Sequence, residues 1–248
     1  MSYLEQFYPE SRFGGFTDID GTVLFYTRVQ ALLSSESVAV DFGCGRGAWR
    51  EDPVEARRNL RMLRGHIAQV IGLDVDEAGR ENPCVDEFRQ IQPGVDRWPV
   101  EDSSVDLCLC DNALEHLEKP EIFFREAHRI LKPGGFLCVR TPNVWSYFGL
   151  ASRLLPGRYH ASVASKVQEG RKEEDVFKTR YRCNTAPAMR KMLRNHGFEG
   201  VVYGYEAEPS YLSFSKLAYF LGVLHQKLSF KSMKPALFAF ARRCNESE

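Results

Sequence analysis

Residues Ser37–Trp49 read SVAVDFGCGRGAW. Val38, Ala39 and Val40 make a short apolar run that ends in an acid, Asp41. Glycine then takes every second position, at Gly43, Gly45 and Gly47, before Ala48-Trp49-Arg50. The pattern predicts a buried strand, a tight turn and the opening of a helix. Glycine adopts backbone angles closed to other residues and lets a ligand lie against the main chain. A helix that starts there also aims unpaired N–H groups into the turn. The spacing is not the G-x-G-x-x-G of a dinucleotide turn.

Working outward, strands and helices alternate. Pro53–Gly65 is a charged helical segment whose arginines read as a solvated face. Ala68–Leu73 is a second strand that runs into Asp74, and a carboxylate at a strand end can accept from two neighbouring hydroxyls. Asp76 reads as a helix N-cap. Cys84–Ile91 is the candidate third strand. Val105–Cys110 is the fourth, leading into Asp111-Asn112-Ala113-Leu114-Glu115-His116. Pro120–Leu131 is an amphipathic helix with proline near its start and Lys132-Pro133-Gly134-Gly135 behind its end. Phe136–Asn143 is the fifth strand. Such alternation predicts a parallel sheet covered on both faces, with ligands bound beyond the carboxyl ends of the strands. Asp41, Asp74, Asp96 and Asp111 all fall at such ends.

VDFGCGRG resembles the first motif of the class I S-adenosylmethionine-dependent methyltransferases, acid-x-G-x-G-x-G. Asp74, VDLCLC, LEH, LKPGG and TPN extend the resemblance, in order, over about residues 37–143. It implies an α/β fold: a doubly wound, Rossmann-like sheet of seven mostly parallel strands. Phe198–Tyr205 and Ala236–Ala241 would close it as an antiparallel C-terminal hairpin. It implies S-adenosylmethionine as cofactor. The loop Asp41, Gly43, Cys44, Gly45 and Gly47 would take the methionine portion, Asp74 the ribose, and the Val95–Asp96 turn the adenine. Asp111 and Asn112 would line the floor beside the sulfur. Trp98-Pro99 matches the family's apolar-Pro pair, but the position of its adenine-contacting acid is Gly94 here. Either Asp96, two residues on, or the backbone at Val95 takes that role.

The implied reaction is O- or N-methylation of a small organic acceptor by in-line displacement, in which positioning does most of the work. His116 is the candidate base; its other reading is a structural or cofactor-shell residue. The Asn/Asp-Pro-Pro-Tyr type motif of base-modifying enzymes is absent where Asp111–Leu114 reads DNAL. Together with the net charge, that argues against nucleic acid. Aromatic residues after Asn143 suggest a lipid-linked or sugar-like acceptor. Two competing readings are a non-catalytic S-adenosylmethionine-binding module and an NAD-dependent oxidoreductase, the latter disfavoured by the glycine spacing.

The layout predicts one domain over 1–248. Residues 1–36 form an N-terminal extension, irregular to Gly21, then a helix over Thr22–Leu33 whose Tyr26 and Arg28 pack or turn to ligand. A lid over 144–185 carries His160. Pro187–His196 is a helix. An apolar insert spans 206–235, and its Tyr211–Phe230 is a core helix, a substrate wall or a membrane-surface helix, with core or wall preferred.

Lys+Arg 33 balance Asp+Glu 33, so no global field draws the chain to nucleic acid. The seven cysteines are scattered without a CxxC pair, which argues against zinc ribbons and redox motifs. They read as buried thiols, with Cys108 and Cys110 on one strand face. No His/Cys/acid cluster has metal-ligand spacing. The opening MSYLEQFYPESRFGG lacks the features of a secretory signal. No apolar run reaches the ~20 residues of a bilayer span. The expected compartment is the cytoplasm.

Overall fold

The computed structural model describes residues 2–92, 94–146 and 179–245. Val38–Phe42 (β1), Gln69–Asp74 (β2) and Val105–Asp111 (β4) are mostly buried apolar runs, as strands inside a parallel sheet must be. Glu87–Gln90 (β3), Leu131–Pro142 (β5), Phe198–Tyr205 (β6) and Ala236–Arg243 (β7) complete one sheet in the order β3-β2-β1-β4-β5-β7-β6. The first five strands are parallel, and β7 runs antiparallel to both β5 and β6. Strand order reverses between β1 and β4, which opens a crevice at their carboxyl ends.

Side chains alternate between two apolar layers. On β4, Cys108 and Cys110 join Phe42, Trp98 and Phe123 on one face, while Leu107 and Leu109 join Phe25, Val70 and Phe238 on the other. Pro120–Ile130 (α4) and Ala186–Asn195 (α5) add Phe124 and Met189 to the first layer. Gly21–Ala31 (α2) covers the second, with Phe25 5.2 Å from Phe238 between ring centroids. Asp20 fixes where α2 begins, because its Oδ1 accepts from the N–H groups of Thr22 (2.8 Å) and Val23 (2.9 Å).

Several elements differ from expectation. Ala48–Glu51 is a single 3-10 turn, and Pro53 bars the residue before it from continuing as helix. The helix that follows, α3, is confined to Glu55–Arg61. The third strand is shorter than the predicted 84–91, since the Cys84 N–H is drawn to Asn82 Oδ1 (2.9 Å) rather than to a ladder partner. Residues 3–7 form a short helix, α1, closed by a reciprocal cap between Ser2 and Glu5. The 206–235 insert contains α6, Lys216–Leu228. Among the described residues no helix is long and apolar enough to cross a membrane. His160 and most of the expected lid lie outside the described residues.

Candidate functional site

The glycine loop leaves the end of β1 with Gly43, Gly45 and Gly47 all at positive φ (73°, 48° and 72°). The N–H groups of Gly43 and Cys44 donate to Leu73 O at 2.7 and 3.3 Å, so the loop is stitched to β2. A Cβ on Gly43 would lie 2.4 Å from the Ala113 Cβ, and one on Gly47 2.5 Å from Asn82 Oδ1. A Cβ on Gly45 would meet nothing within 4 Å. Two glycines are therefore required by packing, while the middle one borders open space.

Asp74 holds this loop from β2. Its Oδ2 accepts from the Gly45 N–H at 2.9 Å and its Oδ1 from the Asp76 N–H at 3.0 Å. Each oxygen keeps a lone pair for a further donor. Asp76 caps the following 3-10 turn through the Ala78 N–H, 2.9 Å away. Cys44 is buried, and burial pushes its thiol far above the ordinary range. It is a packing residue in this turn, not a nucleophile.

Asp111 ends β4 beside Arg140 on β5, which the parallel register places directly opposite. Arg140 Nε and Nη2 reach Asp111 Oδ1 and Oδ2, both at 2.6 Å. The Tyr26 hydroxyl donates to Oδ2 at 2.8 Å, Arg61 approaches it at 3.3 Å, and Asn112 Nδ2 donates to Oδ1 at 3.0 Å. Burial disfavours the charge on Asp111, but Arg140, Arg61 and the Tyr26 hydroxyl outweigh it and hold the carboxyl below its usual range. Tyr26 is shifted well upward by burial and by Asp111.

Among the described residues Asp41 has no such partner. Burial, then Asp111 and Asp74, push its carboxyl up to about 7 against the pull of Arg61. Arg61 lies near the Tyr26 and Trp49 rings, 5.4 and 5.3 Å from their centroids, and its Nε is buried without a hydrogen-bond partner among the described residues. The crevice thus combines a protonatable carboxyl with a guanidinium N–H that lacks an acceptor.

The structure gathers Asp41, the three glycines, Cys44, Asp74, Asp111 and Asn112 at one rim. Asn112 sits at positive φ, 56°. Asp96 stands apart from the Asp111 network, more than half exposed and 3.7 Å from Arg125 of α4. Val95 is exposed beside it. His116 lies in the turn after β4 with Nε2 3.9 Å from Glu115 Oε1. Glu115 is raised chiefly by burial, and its Oε2 accepts from Thr141 Oγ1 at 2.9 Å.

Three arginines here were not expected from the sequence. The α3 arginines were expected on a solvated face. Instead Arg57 reaches Asp20 and Asp52 at 3.0 and 2.7 Å, and Arg61 turns into the crevice. Helical spacing places these two on one side of α3, which was the available signal. Arg140 was passed over within TPN's strand, although a lone arginine in an apolar run needs a buried acid.

Residues 40–139 match the family model described as a methyltransferase domain. A Mycolicibacterium smegmatis protein named "Probable S-adenosylmethionine-dependent methyltransferase" is 33% identical over 111 residues, covering 42% of this chain and 37% of the relative. A ubiquinone biosynthesis O-methyltransferase of Marinobacter nauticus is 31% identical over 144 residues, 54% of this chain and 56% of the relative. The matches thus span about a third to a half of those relatives. Among solved structures, an S-adenosylmethionine-dependent methyltransferase from Mesorhizobium loti superposes with TM-score 0.52 at 18% identity, covering 91% of this chain and all of that one (100%). The [4+2]-cyclase SpnF gives 0.53 at 16%, over 98% and 93%. At such identities the likeness establishes the fold alone, and the cyclase shows that the fold by itself does not dictate methyl transfer.

Proposed function

The chain carries a methyltransferase domain of the class I S-adenosylmethionine-dependent family, and from that premise we propose that it methylates a small organic acceptor on oxygen or nitrogen. S-adenosylmethionine supplies an electrophilic methyl group on a cationic sulfur. The observation that carries the reading is the open side of Gly45, in a loop whose other two glycines are packed shut. The surrounding charges suit a zwitterionic, sulfonium-bearing ligand.

In this reading the Gly43–Gly47 main chain borders the methionine portion. The unpartnered Nε of Arg61 meets its carboxylate, and Asp41 meets its ammonium group. Asp74 accepts from the ribose hydroxyls through the lone pairs its two loop contacts leave unused. The exposed Val95–Asp96 turn borders the adenine. Asp111 and Asn112 form the floor near the sulfur, with Asp111 neutralised by Arg140 so that it acts as a fixed wall. His116 stands beyond that floor as the candidate base. The curated O-methyltransferase relative and the aromatic residues after Asn143 support an acceptor that is lipid-linked or sugar-like.

Radiolabelled methyl transfer to a cell extract tests the proposal, and fractionation identifies the acceptor class. Label in a small-molecule or lipid fraction is expected. Binding of the cofactor without any label transfer would reduce the chain to a binding module. His116→Ala should bind cofactor normally and lose most turnover; normal turnover would remove His116 from the chemistry.

A further inference from the structure

The insert between β6 and β7 presents hydrocarbon to solvent. On α6, Leu217, Phe220, Leu221, Leu224 and Leu228 are 43–71% exposed. Their spacing puts them on one stripe of the helix. The opposite side, Tyr219, Gly222 and Val223, is buried. It packs beneath α1, with Tyr219 5.4 Å from Phe7 between ring centroids. Both sides are thus apolar; Phe220 at the edge of the stripe reaches Phe7, 6.3 Å between ring centroids, while the leucines stay exposed. Phe214 and Phe230, at the two ends of the helix, are 77% and 78% exposed.

Charge indicates what covers the free side. From Pro209 to Pro235 the sequence has lysines at 216, 227, 231 and 234 and no acidic residue, in a chain whose total charge is zero. Lys216 and Lys227 lie about three turns apart and flank the apolar stripe on the same side. Lys216, Lys227 and Lys231 are exposed, while Lys234 is held by Glu206 at 3.6 Å. A second copy docked through this face would bring lysines near lysines. An anionic bilayer surface instead offers hydrocarbon for the leucines and phosphate charge for the lysines.

We propose that this face is a docking surface for an anionic phospholipid bilayer, with α6 lying in the plane of the interface. Its position gives the contact a use. β6 runs parallel to β5, so the insert leaves the sheet at the edge where Asp111 and the glycine loop lie. Asn143, just after β5, fastens the returning chain there by donating to Ser232 O and Lys234 O at 2.8 and 2.9 Å. A docked molecule would hold its cofactor crevice close to the lipid surface. This inference stands on the face itself and does not require the methylation reading.

Vesicle sedimentation of the full chain tests it. The protein should sediment with phosphatidylcholine–phosphatidylglycerol vesicles at low salt and remain in solution with phosphatidylcholine alone. Lys227→Ala and Lys231→Ala should each lower partitioning roughly fivefold. Leu217→Ser/Leu221→Ser, which alters only exposed positions, should abolish it while leaving S-adenosylmethionine affinity unchanged. Absence of sedimentation with anionic vesicles overturns the inference. So does equal sedimentation with both vesicle types, binding that survives the leucine changes, or a stable dimer in sedimentation velocity that those changes dissolve.

Discussion

Two regions on the same edge of the sheet break the burial rule in opposite directions. Around β1 and β4 the chain buries charge: Asp111, Arg140 and Asp41 sit deep, and only the first two neutralise each other. Around α6 the chain exposes hydrocarbon, with leucines and phenylalanines in water. Neither is what stability alone would select, since buried ion pairs are often matched by apolar side chains and exposed apolar stripes cost solubility. The buried charges suit a small charged ligand, and the exposed stripe suits a surface that excludes water. One edge of the sheet thus carries two kinds of recognition: fixed charges in a crevice and an apolar helix beside it.

The largest effect is expected at the ion pair. Arg140→Met removes the bidentate partner of the buried Asp111, leaves it only Tyr26, Asn112 and the more distant Arg61, and should cost about 3–5 kcal/mol in urea unfolding, whereas Arg140→Met with Asp111→Leu should recover most of it. The glycine loop separates packing from binding. Gly43→Ala should lose about 2–4 kcal/mol of stability, because it adds a contact with Ala113 to a strained backbone. Gly45→Ala should lose only about 1–2 kcal/mol and yet lose most cofactor affinity, seen by comparing melting curves with calorimetric titrations.

Smaller effects refine the charge assignment. Asp74→Ala should weaken cofactor binding roughly tenfold to a hundredfold, the loss expected for hydrogen bonds to a charged group. Asp41 makes the free protein pH-sensitive. Between the ordinary carboxylate range and about 7 the folded state holds a proton that the unfolded chain has released, so stability falls as pH rises through that window. A cationic ligand favours the ionised form. Affinity should therefore rise with pH up to about tenfold per unit below 7, level off above it, and lose this dependence in Asp41→Asn.

Much of this site is legible in the sequence because local rules and tertiary demands agree there. The apolar run before Asp41 reads as an inner strand, and Asp41, Asp74 and Asp111 at strand ends meet at the sheet's carboxyl edge, while Asp96, expected with them, stands apart in an exposed turn. The α3 arginines were misread because charge on a short amphipathic helix ordinarily faces water. What turns Arg57 and Arg61 inward is Asp20 and Asp111, which come from distant parts of the chain, together with the nearby Asp52. The third strand was overextended because Cys84 and Val85 are buried without joining the ladder, and apolar character alone does not separate those cases. The Tyr211–Phe230 stretch was read as core, substrate wall or membrane-surface helix, with core or wall preferred, since periodicity reports that a helix has an apolar face and is silent on what covers it.

The crevice at β1, β2 and β4 should bind a sulfonium nucleoside. Isothermal titration of the full chain with S-adenosylmethionine, alongside NADH and the Asp74→Ala variant, tests this most directly. One saturable site for S-adenosylmethionine, weakened in the variant, and no heat with NADH are expected. Absence of S-adenosylmethionine binding, or binding untouched by the loss of Asp74, would contradict this assignment.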